Sequence, residues 1–296
     1  MPLLSVIIPT FNSGRYLAET LASVRALEGI EPEIIVVDDG STDETPARAE
    51  AMPGVKVWRQ ANAGDAAARK RGLRMSSGEF VIFLDHDDLL HPDAAQVHLA
   101  EITADPTLAM VFGSNLIIDS EGRVIGENLA ERRRFSGRSV VRHTTPSFSQ
   151  CLYRRSALDR IGDFRAEARS CADIDLNLRL LGWQDAGLCH GHMVMSYRYH
   201  PGQQTRSPAR LSEQMMEVFE NLLGPGKELE DAELLAFARR YWARYYGQFL
   251  PSEMVRAAVA GDGRRLVRAL RVFGRTMPHS LFGATRFAAR KLVGRA

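Results

Sequence analysis

Short apolar runs alternate with helically spaced segments through the amino-terminal third of the chain. Residues 3–8 are apolar and β-branched and stop at Pro9, the pattern of a buried strand. Tyr16, Leu17, Leu21 and Val24 then fall at helical spacing, behind Asn12 or Ser13 as a cap. Residues 33–37 predict a second buried strand, closed by Asp38, Asp39, Gly40 and Ser41. Ser41 with Glu44 fits a capping box, so a helix is expected to about Ala51. Strands are predicted at 55–59 and 80–84, with a helix over 65–74 between them. Pro92 suits the first position of a further helix, running to about Thr103.

Strands alternating with helices imply right-handed crossovers and a mainly parallel sheet, an α/β fold. In such sheets the ligand crevice lies beyond the carboxyl ends of the strands. Three polar segments, at 10–12, 38–41 and 85–88, each directly follow a predicted strand. They are expected to converge on one cleft.

The middle of the chain is less regular. A strand over 109–119, a turn at Ser120, Glu121 and Gly122, and a return strand over 123–125 are predicted. Arg132, Arg133 and Arg134 read as a basic loop. Further strands are expected at 149–154, 183–186 and 193–199, with a helix over 173–181. From about Leu211 the pattern is helical, broken at 224–226 and 261–263. The chain is therefore read as an α/β domain over 1–210 and a helical extension over 211–296.

Composition changes little in this picture. Of the 296 residues, 45% are hydrophobic and 25% charged, as in ordinary soluble domains. The formal charge of +2 does not point to nucleic acid, and no nucleic-acid motif is present. Its distribution is more telling. Residues 211–296 hold fourteen Lys/Arg against nine Asp/Glu, a local +5, and no acidic side chain follows Asp262. The three cysteines, Cys151, Cys171 and Cys189, are widely spaced and form no metal or disulfide pattern. The start of the chain lacks the pattern of a signal peptide, and no apolar run approaches a bilayer span. A cytoplasmic location is expected.

The chemistry concentrates in Asp85, His86, Asp87 and Asp88. Carboxylates at i and i+2 beyond a buried strand can reach one hard cation, Mg²⁺ or Mn²⁺, together with phosphate oxygens. A plain solvated turn has little reason to collect three like charges. A carboxylate at Asp38 or Asp39 can accept from a ribose hydroxyl or a pyrimidine N–H, while Ser41 suits a cap. Gly64, after Asn62, would permit close backbone approach, and Arg69 would face a pyrophosphate. Asp173, with Asp175 two residues on, is the candidate general base, although spacing alone favours a helix cap there. His200 is a candidate for the metal or the diphosphate, and Arg198 and Asp88 for phosphate or acceptor contacts.

These residues resemble the family 2 glycosyltransferases. The resemblance is carried by residues 5–12 (Ser-Val-Ile-Ile-Pro-Thr-Phe-Asn), by residues 35–43 around Asp38 and Asp39, by 62–69, and by 83–88. It spans about residues 3–205 and implies a GT-A fold and inverting transfer from a nucleoside-diphosphate sugar. It implies that Asp39 contacts base or ribose. Pro9, Thr10, Phe11, Asn12, Ser41, Asn62, Gly64, Arg69, Asp85 and His86 would complete the donor pocket. Asp85 and Asp87 match the family's Asp-x-Asp element, with His200 a third metal ligand. Asp173 matches the first Asp of its Glu-Asp-x-Asp-Leu stretch, which serves as base. Arg198 and His200 match an Arg-x-His element. Ala172 departs from the usual Glu, and Lys70 from the usual Asn. The donor expected is a UDP-sugar, and the acceptor a glycan or lipid-linked sugar in cell-surface polysaccharide synthesis. The rivals are a metal-dependent sugar nucleotidyltransferase and a non-catalytic module that only binds nucleotide sugars.

The tail adds one more expectation. Arg264, Arg265, Arg268, Arg271 and Arg275 interleave with Leu266, Val267, Leu270 and Phe273. Arg286, Arg290 and Lys291 do so with Leu281, Phe282, Phe287 and Leu292. Such helices suit either an anionic membrane surface, peripheral at its inner face, or ordinary packing of the apolar side on a core.

Overall fold

Four of the predicted strands form as β1 (Leu4–Thr10), β2 (Glu33–Asp38), β3 (Val55–Arg59) and β4 (Phe80–Phe83). They lie parallel, in the order β3-β2-β1-β4. The connecting helices are α1 (Leu17–Arg25), α2 (Thr45–Glu50) and α3 (Asp65–Met75). The computed structural model describes residues 4–143, 146–162, 164–200, 202–203 and 206–275.

Alternation along β1 serves two layers. Leu4, Val6 and Ile8 join Leu17, Leu21 and Val24 of α1 in the main apolar cluster. Ile7 faces α3 on the other side. There Gly72 allows close approach, because a Cβ at that position would sit 2.3 Å from Cγ2 of Ile7.

Beyond β4 the sheet becomes mixed. The elements that follow are β5 (Leu89–Leu90), α4 (Ala94–Ala104), β6 (Met110–Ile118), β7 (Val124–Asn128), β8 (Arg133–Phe135) and α5 (Gly137–Arg142). After them come β9 (Cys151–Arg154), α6 (Arg155–Ile161), α7 (Ala172–Leu181) and β10 (Gly187–Arg198). Strand β9 lies antiparallel between β4 and β6, and β10 lies parallel to β6. The sheet order continues β4-β9-β6-β10-β5, with β7 on β6 and β8 on β10.

Local expectations fail where a side chain finds a distant partner. The capping box of Ser41 with Glu44 does not form. Ser41 Oγ instead accepts the Asn12 N–H at 2.9 Å, Asp43 accepts that of Thr45 at 3.0 Å, and α2 starts at Thr45. Neither Asn12 nor Ser13 caps α1, which begins at Leu17 without a side-chain cap. Asn12 sits at φ 51°, and its Oδ1 accepts the Thr42 N–H at 2.9 Å. Part of the basic loop is strand β8, paired antiparallel with β10. The strand expected at 183–186 is a turn. Gly182, at φ 50°, ends α7, and Trp183 lies on the surface against Arg138. The chain then runs as one long strand, β10, with register shifts between Cys189 and Met195.

The chain divides into two compact units, Met1–His200 and Pro201–Ala296. The second holds α8 (Pro208–Leu223), α9 (Ala232–Gly247), α10 (Leu250–Val259) and a final described helix over 263–275. Its helices are tied by Glu253, which is fully buried. Glu253 accepts from Ser207 Oγ at 2.6 Å, from the Ala209 N–H at 2.9 Å and from Arg265 Nε at 3.0 Å. Ala269 and Val272 of the last helix pack with Ala209 and Leu250. Part of that helix's apolar side thus closes its own unit's core, while Val267 and Leu270 stay exposed together with Arg264, Arg268, Arg271 and Arg275. The second basic stretch, around Leu281, Phe282, Arg286, Phe287, Arg290, Lys291 and Leu292, lies outside the described residues. No described helix is long and apolar enough to cross a membrane. The three cysteines are free and buried.

Candidate active site

The carboxyl ends of β1, β2 and β4 bring their polar segments to one side of the sheet. Asp39, at the end of β2, is buried and organises the segment after β3. Its Oδ1 accepts from Gln60 Nε2 at 2.7 Å and from the Ala63 N–H at 2.9 Å, and its Oδ2 from the Gly64 N–H at 2.8 Å. Its own N–H donates to the Thr10 carbonyl at 2.8 Å. Asp39 therefore joins β1, through its backbone, to the loop of Asn62 and Gly64, through its carboxylate. Gly40, at φ 80°, makes the crossing possible, since a Cβ there would stand 2.9 Å from the Asn62 nitrogen. Asp38 is fully buried, with Oδ1 accepting from the Ser41 N–H at 3.3 Å. Thr10 is buried, and Phe11 is exposed beside it.

Arg69 is not the surface charge that its place on a polar helix suggests. It is 2% exposed, ion-paired with both Asp65 and Asp85, and lies 4.4 Å from the ring centre of Phe148. Burial pushes the Asp85 carboxyl up to about 6; Arg69 opposes that rise, and Asp65 and Asp87 add to it. The turn that carries Asp85 to Asp88 is held from α1. Thr20 Oγ1 donates toward the His86 carbonyl at 2.8 Å and that of Asp88 at 2.9 Å. Ser149 Oγ accepts the Asp85 N–H at 3.1 Å.

Asp87 and Asp88 have separate surroundings. Asp87 Oδ2 lies 2.8 Å from His200 Nε2. Burial works to raise the Asp87 carboxyl, but the His200 contact and the nearby His86 outweigh it and hold the group below its ordinary value. Asp88 is fully buried, and burial with two carboxylate neighbours pushes it well up. Its Oδ1 accepts the Arg198 N–H at 3.0 Å.

Arg198 is 1% exposed and acts as a hub. Its Nε donates to the Asp87 carbonyl at 2.9 Å, and a terminal nitrogen meets Glu19 at 2.7 Å. The guanidinium lies 4.6 Å from the ring centre of Tyr16, whose ring stands 5.0 Å from that of His200. Its charge is directed at α1 and at the metal-candidate turn.

Asp173 lies in the first turn of α7, with Oδ1 accepting the Ile174 N–H at 2.9 Å. It is not the cap residue; Cys171 occupies that position. Burial pushes its carboxyl up to about 7; the Ile174 bond and Arg69 pull down and Asp85 pushes up, so all three act in one field. Asp175 is different. It is buried in an ion pair with Arg179 at 2.7 Å, which leaves Asp173 as the unpaired acid of the two.

Among the described residues no group of three or more His, Cys, Asp or Glu side chains converges as a ready metal cage. The adjoining Asp87 and His200 are two suitable donors. Mg²⁺ and Mn²⁺ sites on nucleotides often use only one or two protein ligands, the rest being phosphate and water. The donor set fits such an ion. Glu19, Tyr16, Gln60, Phe148 and Ser149 carry no motif. Their parts in the site come from packing alone.

The glycosyl transferase family 2 model matches residues 5–162. The chain is similar to chondroitin synthase of Escherichia coli, 28% identical over 188 residues, which cover 61% of this chain and 26% of that protein. It thus spans about a quarter of that relative's length. An uncharacterized protein of Mycobacterium tuberculosis is 30% identical over 218 residues, covering 67% of each chain. Among solved structures, Staphylococcus aureus TarS 1–349 in complex with UDP-GlcNAc superposes with a TM-score of 0.62 at 21% identity, over 93% of this chain and 81% of that one. At that identity the likeness speaks for the fold.

Proposed function

We propose that this chain, which belongs to glycosyl transferase family 2, moves a sugar from a UDP-sugar to a glycan or lipid-linked acceptor with inversion. It is a glycosyltransferase by family. Donor and acceptor are our reading. Support for the donor comes from TarS, which shares the fold and holds UDP-GlcNAc, and support for a polysaccharide product from the chondroitin synthase of Escherichia coli.

The observation that carries the reading is the ion pair of Asp85 with the buried Arg69 beyond β4, in whose field Asp173 also lies. A carboxylate whose pKa lies near 7 is a stronger base than an ordinary one and is about half deprotonated at neutral pH, so it can take a hydroxyl proton there. In the step proposed, the acceptor oxygen attacks the anomeric carbon, its proton passes to an Asp173 carboxylate oxygen, and the bond to the diphosphate breaks. Asp39 would face the nucleoside while keeping the loop of Asn62 and Gly64 in place. Among the described residues its Oδ2 accepts one N–H, that of Gly64, and a lone pair would remain for a ligand donor. Thr10, Phe11, Asn12 and Ser41 would border the same pocket, with His86 on the diphosphate side.

Asp87 and His200, with Asp85 in the same turn, would hold Mn²⁺ or Mg²⁺, and Arg69 would face the diphosphate. When bound, the ion would supply Lewis-acid stabilisation of the departing diphosphate. A lipid-linked acceptor would place the enzyme at the inner face of an anionic membrane. The test is product analysis with a panel of nucleotide sugars and Mn²⁺. Release of nucleoside diphosphate supports the reading, and release of pyrophosphate from a sugar phosphate and a nucleoside triphosphate overturns it.

A further inference from the structure

The carboxy-terminal unit carries an aromatic face that its packing covers only in part: Tyr241 and Tyr245 meet the buried Trp242 with ring centres 5.1 and 5.3 Å away, yet both stay open to solvent. Phe237, Tyr241, Tyr245 and Phe249 recur at every fourth position along α9 and just past its end, so they share one side. Phe237 stacks on Tyr241 with ring centres 5.3 Å apart, and Tyr245 meets Phe249 at 5.8 Å. Trp242 turns inward toward Phe219, whereas Tyr241 and Tyr245 remain 39% and 42% exposed. Arg240 and Arg244 precede the two tyrosines, exposed and without an ion pair among the described residues. The pattern continues in the same unit. Val255 and Val259 are exposed beside Arg256, and Val267 and Leu270 beside Arg264 and Arg271.

We propose that the α9 face of Tyr241 and Tyr245, with Arg240 and Arg244, docks the protein on an anionic membrane surface. The inference rests on the reading above that the acceptor lies at such a membrane. Unpaired arginines complement a negative lipid surface. Tyrosine rings satisfy both sides of a bilayer boundary, with an apolar body and a wet hydroxyl. A neutral soluble glycan would stack on the rings but would leave the two arginines unused. The helix over 263–275 gives Ala269 and Val272 to the core, leaving Val267 and Leu270 outside it. Among the described residues of this unit, α9 carries the exposed aromatic side chains.

The test is co-sedimentation of the full chain with vesicles of phosphatidylcholine alone or mixed with phosphatidylglycerol. The wild type should bind only the mixed vesicles, and less at high salt. Tyr241→Ser with Tyr245→Ser should weaken binding about tenfold or more, while donor turnover in solution stays unchanged and the helical circular-dichroism signal is kept. Wild-type protein that ignores the mixed vesicles overturns both the docking face and the membrane reading. Wild-type binding that survives the tyrosine pair but is lost on Arg286→Glu with Arg290→Glu overturns the docking face alone. So does a tyrosine pair that converts a dimer to a monomer without affecting vesicles, since the face would then belong to a second copy.

Discussion

Nε2 of His200 lies 2.8 Å from Oδ2 of Asp87, across 113 residues of sequence. The contact joins the end of the unit's last strand to the turn after β4. It makes two potential oxygen and nitrogen ligands neighbours before any ion arrives. If they hold the ion, His200→Ala and Asp87→Ala should each abolish the Mn²⁺-dependent part of UDP-sugar binding, and chelator should do the same to the wild type. Calorimetry showing equal donor affinity with and without Mn²⁺ would rule the pair out.

Asp173→Asn should lower turnover on the order of 10²–10⁴-fold, the usual cost of losing a general base, with donor affinity kept. In the wild type, kcat should rise with pH through about 7, as the carboxyl loses its proton. A flat profile between pH 5 and pH 8, or an active Asn variant, would remove Asp173 from the chemistry.

The same group makes a prediction for stability. Folded Asp173 holds its proton to about 7, against an ordinary value of 3.8. Between those values the folded chain binds a proton that the unfolded chain releases, so this contribution is full at low pH and lost as pH rises through about 7. Asp173→Asn should therefore melt higher than the wild type at pH 8, and the gap should close toward pH 5. A variant that melts lower at pH 8 would contradict this.

Arg198 supports Asp87 through its backbone. Arg198→Lys keeps the charge but loses the forked contacts to the Asp87 carbonyl and Glu19, at a cost of about 1–3 kcal/mol, with weaker Mn²⁺-dependent donor binding. Glu19 is half exposed at the other end of the pair, so Glu19→Gln should cost under about 1 kcal/mol. Urea melts that rank the two in the opposite order would show that the guanidinium is not the anchor.

Asp39→Asn replaces an acceptor of three donors by a group with one acceptor oxygen. At least one N–H of Gln60, Ala63 or Gly64 loses its partner, costing about 1–3 kcal/mol. The donor KM should rise, and kcat at saturation should change less. An unchanged KM would mean that the Gly64 loop does not shape the donor pocket.

Local pattern was enough for the parallel half of the sheet. The runs that became β1 to β4 are dense in β-branched residues, and the polar residues just after them mark the crevice, because alternation and strand ends are properties of neighbours in sequence. It was not enough for β9, whose place between β4 and β6 follows from edge pairing with strands far away. Nor was it enough for Asn12 and Ser41, which left their expected caps for each other.

The chemistry divides the same way. Asp85, Asp87 and Asp173 were visible as carboxylates at strand or helix ends, whereas the burial of Arg69, the ion pair that sets Asp175 apart and the hub at Arg198 were not. An ion pair or a shifted pKa depends on which groups meet in space and how much water is removed between them. Neither quantity is written in the spacing of residues along a chain; both exist only once distant segments have packed.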